Sequence, residues 1–210
     1  MKLYEWGAAP NPRRVRIYLA EKGIEIPTED VGVPNSGDLK PEFLAAHPHR
    51  RVPLLELDDG TCIGEAMAIC RYFEALHPDP PLMGHDSKEI GVIDMWERIA
   101  EFEGLHAVSE NFRNSRRTFT DRALAGYEKA LAQIPALIER GETRTMMFFD
   151  RIDAQLADNE YVAGDSYSTA DITTLCTVDF AIFCKLPVPD GCTNIKRWHE
   201  TVSARPSARA

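Results

Sequence analysis

The chain of 210 residues is long enough for one large or two small domains, each with its own apolar core. Its 44% apolar and 27% charged residues are those of an ordinary globular protein, and a formal charge of −9 argues against a nucleic-acid partner and against docking on anionic membrane. Met1-Lys2-Leu3-Tyr4-Glu5-Trp6-Gly7 has no apolar run behind a basic flank, so no signal peptide is expected, and no apolar stretch approaches membrane-spanning length.

Short strand and helix signals alternate through the first third. Lys2 to Trp6 reads as a strand. Val15, Tyr18, Leu19 and Ile24 then recur at helical spacing, with Gly23 as the stop. Ile26 to Val31 reads as a second strand, and Pro41 to Ala46 as one or two helical turns. Val52 to Leu57 and Thr61 to Ile63 form a predicted hairpin around Asp58-Asp59-Gly60. Glu65 to Leu76 is helical again, stopped before Pro78. This order predicts an α/β unit over 1–77 with a small mixed sheet. Pro78, Pro80 and Pro81 stiffen a linker over 78–86.

The remainder, 87–210, is predicted to be an all-α bundle. Ile90, Ile93, Trp96, Ile99, Phe102, Leu105, Val108 and Phe112 trace a drifting stripe along one long helix. Leu124, Tyr127, Leu131 and Ile134 predict another helix, ended or kinked by Pro135. Phe149, Ile152 and Leu156 mark the next. Ile172 to Phe183 is apolar on nearly all sides, as in a helix at the centre of a bundle, and Ile195, Trp198 and Val202 mark the last one. Ser168-Thr169-Ala170-Asp171 fits a capping box.

Cys62, Cys70, Cys176, Cys184 and Cys192 are odd in number and lack Cys-x-x-Cys spacing. They read as free thiols in a reducing compartment, with no disulfide frame and no metal site, and Cys176 and Cys184 as core filler.

Four stretches in this order carry a specific resemblance. The first is Lys2-Leu3-Tyr4 with Pro10-Asn11-Pro12-Arg13-Arg14-Val15-Arg16 and Leu19 to Gly23. The second is Pro41-Glu42-Phe43-Leu44, His47-Pro48 and Arg51-Val52-Pro53-Leu54-Leu55. Gly64-Glu65-Ala66-Met67-Ala68-Ile69 is the third. The fourth is Ala163-Gly164-Asp165 before the capping box, with Trp198 to Pro206. Together they resemble the cytosolic glutathione transferases, of the bacterial type, over nearly the whole chain. The resemblance implies a thioredoxin-like N-terminal domain that binds glutathione, an all-α domain that completes an electrophile site, a homodimer and a cytoplasmic detoxification enzyme.

The motifs also have physical readings of their own. Pro53 opens a strand, and a cis bond there would turn the Val52 amide and carbonyl outward to pair with an extended peptide. The resemblance implies that the peptide is glutathione and that Pro53 is cis; the alternative is an edge-strand proline without a ligand. Glu65-Ala66 begins a helix, whose free amides attract a carboxylate. By resemblance, the γ-glutamyl carboxylate lies there and Glu65 beside its ammonium group. Ala66 stands where the family usually has serine. Lys40 and Arg50 are candidates for the glycine carboxylate, with Arg51 as a competitor of Arg50 and a solvated surface charge as the alternative for each.

Glutathione attacks as its thiolate, whereas an ordinary thiol is mostly protonated at neutral pH. Family members commonly supply a tyrosine, serine or cysteine near the end of the first strand; aligned on Pro10-Asn11, the serine or cysteine position is Ala9 here. Asn11 can donate from its amide, or it can simply cap a helix that starts at Pro12. Some bacterial members that favour disulfide reduction carry an asparagine at this place. The backbone amides of the helix start are a second source of stabilisation. Trp6 and Tyr4 are further candidates, Tyr4 more readily as a core residue. Glu103, His106, Glu110, Arg113, Asn114 and Arg117 form a polar stripe that either borders the electrophile pocket or faces solvent.

The predicted function is glutathione transfer to a small hydrophobic electrophile, with glutathione as co-substrate and no metal. The alternatives are a glutathione-dependent disulfide or peroxide reductase, and a non-catalytic glutathione-binding or interaction protein.

Overall fold

The computed structural model describes residues 1–33, 38–47 and 50–210. Pro48, part of the His47-Pro48 pair named above, lies outside them. The N-terminal α/β domain runs β1 (Lys2–Glu5), α1 (Pro10–Lys22), β2 (Thr28–Asp30), β3 (Gly32–Val33), β4 (Asp38–Leu39), α2 (Pro41–Ala46), β5 (Leu54–Glu56), β6 (Cys62–Gly64) and α3 (Ala66–Leu76). Its four-stranded sheet has the order β2-β1-β5-β6, with β1 and β2 parallel and the other pairs antiparallel. β1 lies inside the sheet and leads into α1, whose left-handed stop is Gly23 at φ 64°. Leu3, Val15, Leu55, Ile69 and Phe73 pack between the sheet, α1 and α3, and this core continues into the helical domain. Val31, Phe43 and Leu54 form a smaller cluster with Tyr4.

The sheet register decides where the loops meet. Tyr4 pairs with Leu54, and Leu54 with Gly64. The exit of β1, the entrance of β5 and the exit of β6 therefore share one end of the sheet. The helices α1 and α3 both begin there.

The C-terminal domain is helical: α4 (Ser87–Ile99), a π-helical segment (Ala100–Leu105), α5 (His106–Ser115), a 3-10 turn (Arg117–Phe119), α6 (Ala136–Ala157), α7 (Thr169–Phe183), α8 (Thr193–Ser203) and a last 3-10 turn (Pro206–Arg209). The long predicted helix exists as α4, the π-helical segment and α5 in series, but its stripe is broken, because Ile90 and Phe102 face outward. The predicted apolar helix is α7, buried along most of its length and packed against α1 and α4. The capping box at its start forms, with the Ser168 N–H donating to Asp171 Oδ2 at 3.0 Å.

The helix predicted from Leu124 to Ile134 is absent. That segment belongs to a loop between the 3-10 turn at Arg117–Phe119 and α6, in which Asp121 and Gly126 have φ of 58° and 84°. Leu124, Tyr127 and Ile134, three of the residues that suggested a helix, are exposed. The loop is held instead by the Leu131 N–H donating to the Asp121 carbonyl at 2.8 Å and the Ala123 N–H donating to the Leu131 carbonyl at 3.0 Å. Pro135 does not end a helix but precedes the first residue of α6.

No helix among the described residues is long and apolar enough to cross a membrane. Cys62 is exposed, and the other four cysteines are buried and free.

Candidate active site

The sheet end described above gathers Ala9 to Asn11, Val52-Pro53 and Glu65-Ala66. The Val52–Pro53 peptide is cis. Among the described residues, neither the N–H nor the carbonyl of half-buried Val52 has a hydrogen-bond partner. An extended peptide could pair with both.

Glu65 immediately precedes α3 with φ 65°, a left-handed conformation that costs a non-glycine residue about 1–3 kcal/mol. Its exposed carboxylate meets Arg51 at 3.3 Å. Ala66 is buried as the first residue of the helix. The amides of the first turn of α3 face outward from its N-terminus and supply positive partial charge.

Helix α1 begins one residue before Asn11, which corrects the capping alternative. The cap residue is Ala9, without a side-chain hydrogen bond, and Pro10 and Pro12 flank Asn11 within the first turn. Neither proline has an N–H. The Arg13 N–H is already committed to the Ala9 carbonyl at 3.3 Å. The general supply of amides expected at this helix start therefore reduces to one residue, Asn11, with its main-chain N–H and its side-chain NH2.

The Asn11 side chain is oriented by Arg14, whose Nη1 donates to Asn11 Oδ1 at 3.1 Å. The same nitrogen donates to Glu101 Oε1 at 3.0 Å, and Nη2 to Glu97 Oε1 at 2.5 Å. Arg14 and Glu97 have side-chain exposures of only 1% and 0%. Burial works against the Arg14 charge, but the two carboxylates outweigh it and raise its pKa. Burial also lifts the Glu97 carboxyl above the usual range, against the pull of Arg14. Glu101 is desolvated too, yet Arg14 and Arg98 hold it below that range.

The other predicted residues are distributed as follows. Lys40 Nζ donates to the Asp30 carbonyl at 2.6 Å. Arg50 pairs with Glu128 at 2.7 Å. Arg51 reaches Glu65 and also donates to the Ala125 carbonyl at 3.3 Å, so it ties the sheet end to the 120–135 loop. Trp6 packs on Gly32, where an added Cβ would come within 2.0 Å of the indole. Tyr4 is committed to Glu56 through a 2.7 Å hydrogen bond.

Much of the polar stripe serves the helical domain. Glu103 pairs with Arg151, and Glu110 with Arg140 and Arg144. Arg113 donates to the Ala123 and Arg122 carbonyls. His106 lies edge-on to Phe102, with ring centroids 5.4 Å apart. The protein around the imidazole desolvates its charged form, and Arg144, Arg14 and Arg98 repel that charge, so its pKa lies below the ordinary histidine value despite Glu101.

Sequence reading missed Arg14. Its signal was a charge four residues before Tyr18, on the helix face that Tyr18 buries in the core. Among the described residues, no group of three or more His, Cys, Asp or Glu is placed to hold a metal ion.

The chain is similar to known proteins in both domains. The family model "Glutathione S-transferase, N-terminal domain" matches residues 3–81, and "Glutathione S-transferase, C-terminal domain" matches 118–206. Glutathione S-transferase 2 of Saccharomyces cerevisiae is 38% identical over 100% of this chain and 88% of its own. The crystal structure of Gtt2 from Saccharomyces cerevisiae superposes with a TM-score of 0.88 at 37% identity, covering 100% of this chain and 99% of the other. A glutathione S-transferase domain-containing protein of Marinobacter aquaeolei gives 0.87 at 35%, with 99% of each chain covered. A thioredoxin-like α/β domain with its cis-proline end, joined to a helical domain and matched along its whole length, places this chain in the glutathione S-transferase family.

Proposed function

We propose that this protein binds glutathione at the shared sheet end and stabilises its thiolate for attack on a small hydrophobic electrophile. The observation that carries this reading is the convergence of the Val52 main chain, without a partner among the described residues, with the starts of α1 and α3. In this assignment, the Val52 N–H and carbonyl, presented by Pro53, pair with the cysteinyl main chain. The α3 start at Ala66 takes the γ-glutamyl carboxylate, and Glu65 its ammonium group. Lys40 and Arg50 take the glycine carboxylate, with Arg51 bracing Glu65. Asn11 donates to the sulfur, at the turn where Ala9 supplies no hydroxyl or thiol. Trp6 forms part of the wall of the turn between β1 and α1.

The division into 1–77, 78–86 and 87–210 belongs to the same proposal, with the electrophile on the helical part. Phe112, Phe180 and Phe183 offer aromatic surface there: the Phe112–Phe180 centroids are 5.1 Å apart, and Phe183 is 67% exposed. Exposed Ile90 and Met95 on α4 support a homodimer. Free thiols support a reducing compartment, the cytoplasm.

A second reading, glutathione-dependent disulfide or peroxide reduction, is favoured by Asn11 in a site whose Ala9 lacks a hydroxyl. Steady-state assays with a chloronitroaromatic and with a small disulfide separate the two. Turnover of the aromatic supports transfer, and turnover of the disulfide alone replaces it with reduction. Glutathione binding without turnover of either leaves the third reading, a binding protein, and no binding refutes all three.

A further inference from the structure

The Arg14 cluster is an expensive way to join two domains. Among the described residues, Arg14 Nε and Glu97 Oε2 are buried without a hydrogen-bond partner, and Arg98 Nη1 lies 3.7 Å from Glu97 Oε2. Buried ion groups of this kind are often replaceable by apolar side chains without loss of stability. Stability alone therefore gives a poor account of this one.

A guanidinium has donors and no acceptor. It can accept Asn11 as a neighbour only when the amide oxygen faces it. The NH2 group must then turn away, and among the described residues it has no partner there. A flipped amide would set NH2 against Nη1 and lose the 3.1 Å bond. The guanidinium itself is fixed by Glu97 in α4, through Nη2, and by Glu101 in the π-helical segment, through the other N–H of Nη1. Such segments recur at functional sites. Thr173 of α7 also donates to Glu97 Oε1, at 3.3 Å.

We infer that Arg14 is a positioning residue: held by Glu97 and Glu101, it locks the Asn11 amide with its oxygen inward and its NH2 free to donate to the glutathione sulfur. This rests on the reading of Asn11 as the thiolate donor. It adds that the helical domain sets the donor's orientation.

The test is a double-mutant cycle on the thiol pKa of bound glutathione, read from ultraviolet thiolate absorbance against pH. Asn11→Ala should raise that pKa by about one unit, the worth of one hydrogen bond to a charged group. Arg14→Lys, whose single ammonium cannot reproduce the planar fork that spans Asn11 and Glu101 from Nη1 and Glu97 from Nη2, should raise it by a similar amount while the KM for glutathione changes little. In the Asn11→Ala background, Arg14→Lys should add nothing. An unchanged pKa in Asn11→Ala would refute the reading of Asn11 itself. A shift in Asn11→Ala with none in Arg14→Lys would refute the role of Arg14 alone. An Arg14→Lys shift that persists without Asn11 would show that Arg14 acts by its own charge, and would overturn the inference. Should Arg14→Lys not fold, the triple variant Arg14→Met, Glu97→Leu, Glu101→Gln removes the buried charges together and, among the described residues, takes both carboxylate partners only from Arg98, whose side chain reaches solvent. Its thiol pKa should match that of Asn11→Ala, and a parental value would overturn the inference.

Discussion

Replacing Asp171 by alanine should unfold the helical domain at a much lower temperature. Asp171 is completely buried, and its carboxylate accepts from four donors. These are the Val162 N–H at 2.9 Å, the Trp198 indole at 2.9 Å, the Ser168 N–H at 3.0 Å and the Ser168 hydroxyl at 3.1 Å. Burial pushes its pKa up to about 6, while the donors pull the other way, so it is ionised at neutral pH. The hydroxyl can turn elsewhere in Asp171→Ala, but the other donors cannot. Each buried donor left unpaired costs about 1–3 kcal/mol. Water entering the small space would recover part of this, leaving a loss of about 3–5 kcal/mol. That is a large share of a typical stability of about 5–15 kcal/mol. At about 2–4 °C per kcal/mol for a chain of this size, Tm should fall by roughly 6–20 °C. Asp171→Asn keeps one oxygen for Val162 and Trp198 and fails only Ser168, so it should lose about 1–3 kcal/mol. Thermal unfolding followed by circular dichroism reads both. A loss below about 1 kcal/mol in Asp171→Ala would refute the reasoning, because it would mean that the donors find other partners.

Two further outcomes follow from packing and charge. At Gly141, an added Cβ would sit 2.7 Å from the Ala107 carbonyl oxygen and 2.7 Å from the Asn111 nitrogen, where α6 crosses α5. Neither backbone atom can step aside, so Gly141→Ala should lower stability by at least about 1–3 kcal/mol in a urea titration. Asp179 is desolvated, yet its hydrogen bonds to His199 and Arg13 hold its pKa below the ordinary value of 3.8. A carboxylate shifted down contributes stability above its unfolded pKa and loses it as pH falls through the folded one. Asp179→Asn should therefore be less stable than the parent at neutral pH, with the difference narrowing below pH 3.8, as read by denaturation at several pH values.

The fold was legible where local chemistry and tertiary packing agree. Gly23 stops α1 as its spacing predicts, and the hairpin at Asp58-Asp59-Gly60 forms between β5 and β6. Ile195, Trp198 and Val202 all enter the core from α8. Reading failed where periodicity arose without burial. Leu124, Tyr127 and Ile134 have helical spacing, but each is more than half exposed, and the positive φ of Asp121 and Gly126 ends any helix. At the site, Pro53 and Glu65 are visible in sequence because each is tied to a local backbone event. Arg14 was invisible because its partners, Glu97 and Glu101, lie more than eighty positions away, and no local pattern announces a charge paired at that distance.

Glutathione titrated into the isotope-labelled protein, with backbone amides followed by nuclear magnetic resonance, tests the central claim most directly. The N–H groups of Asn11, Val52, Ala66 and Met67 belong to three separate segments that only the sheet register brings together. They should show the largest shifts and saturate with one dissociation constant. Shifts centred elsewhere, on α8 or the far end of the sheet, or no shifts at all, would contradict it.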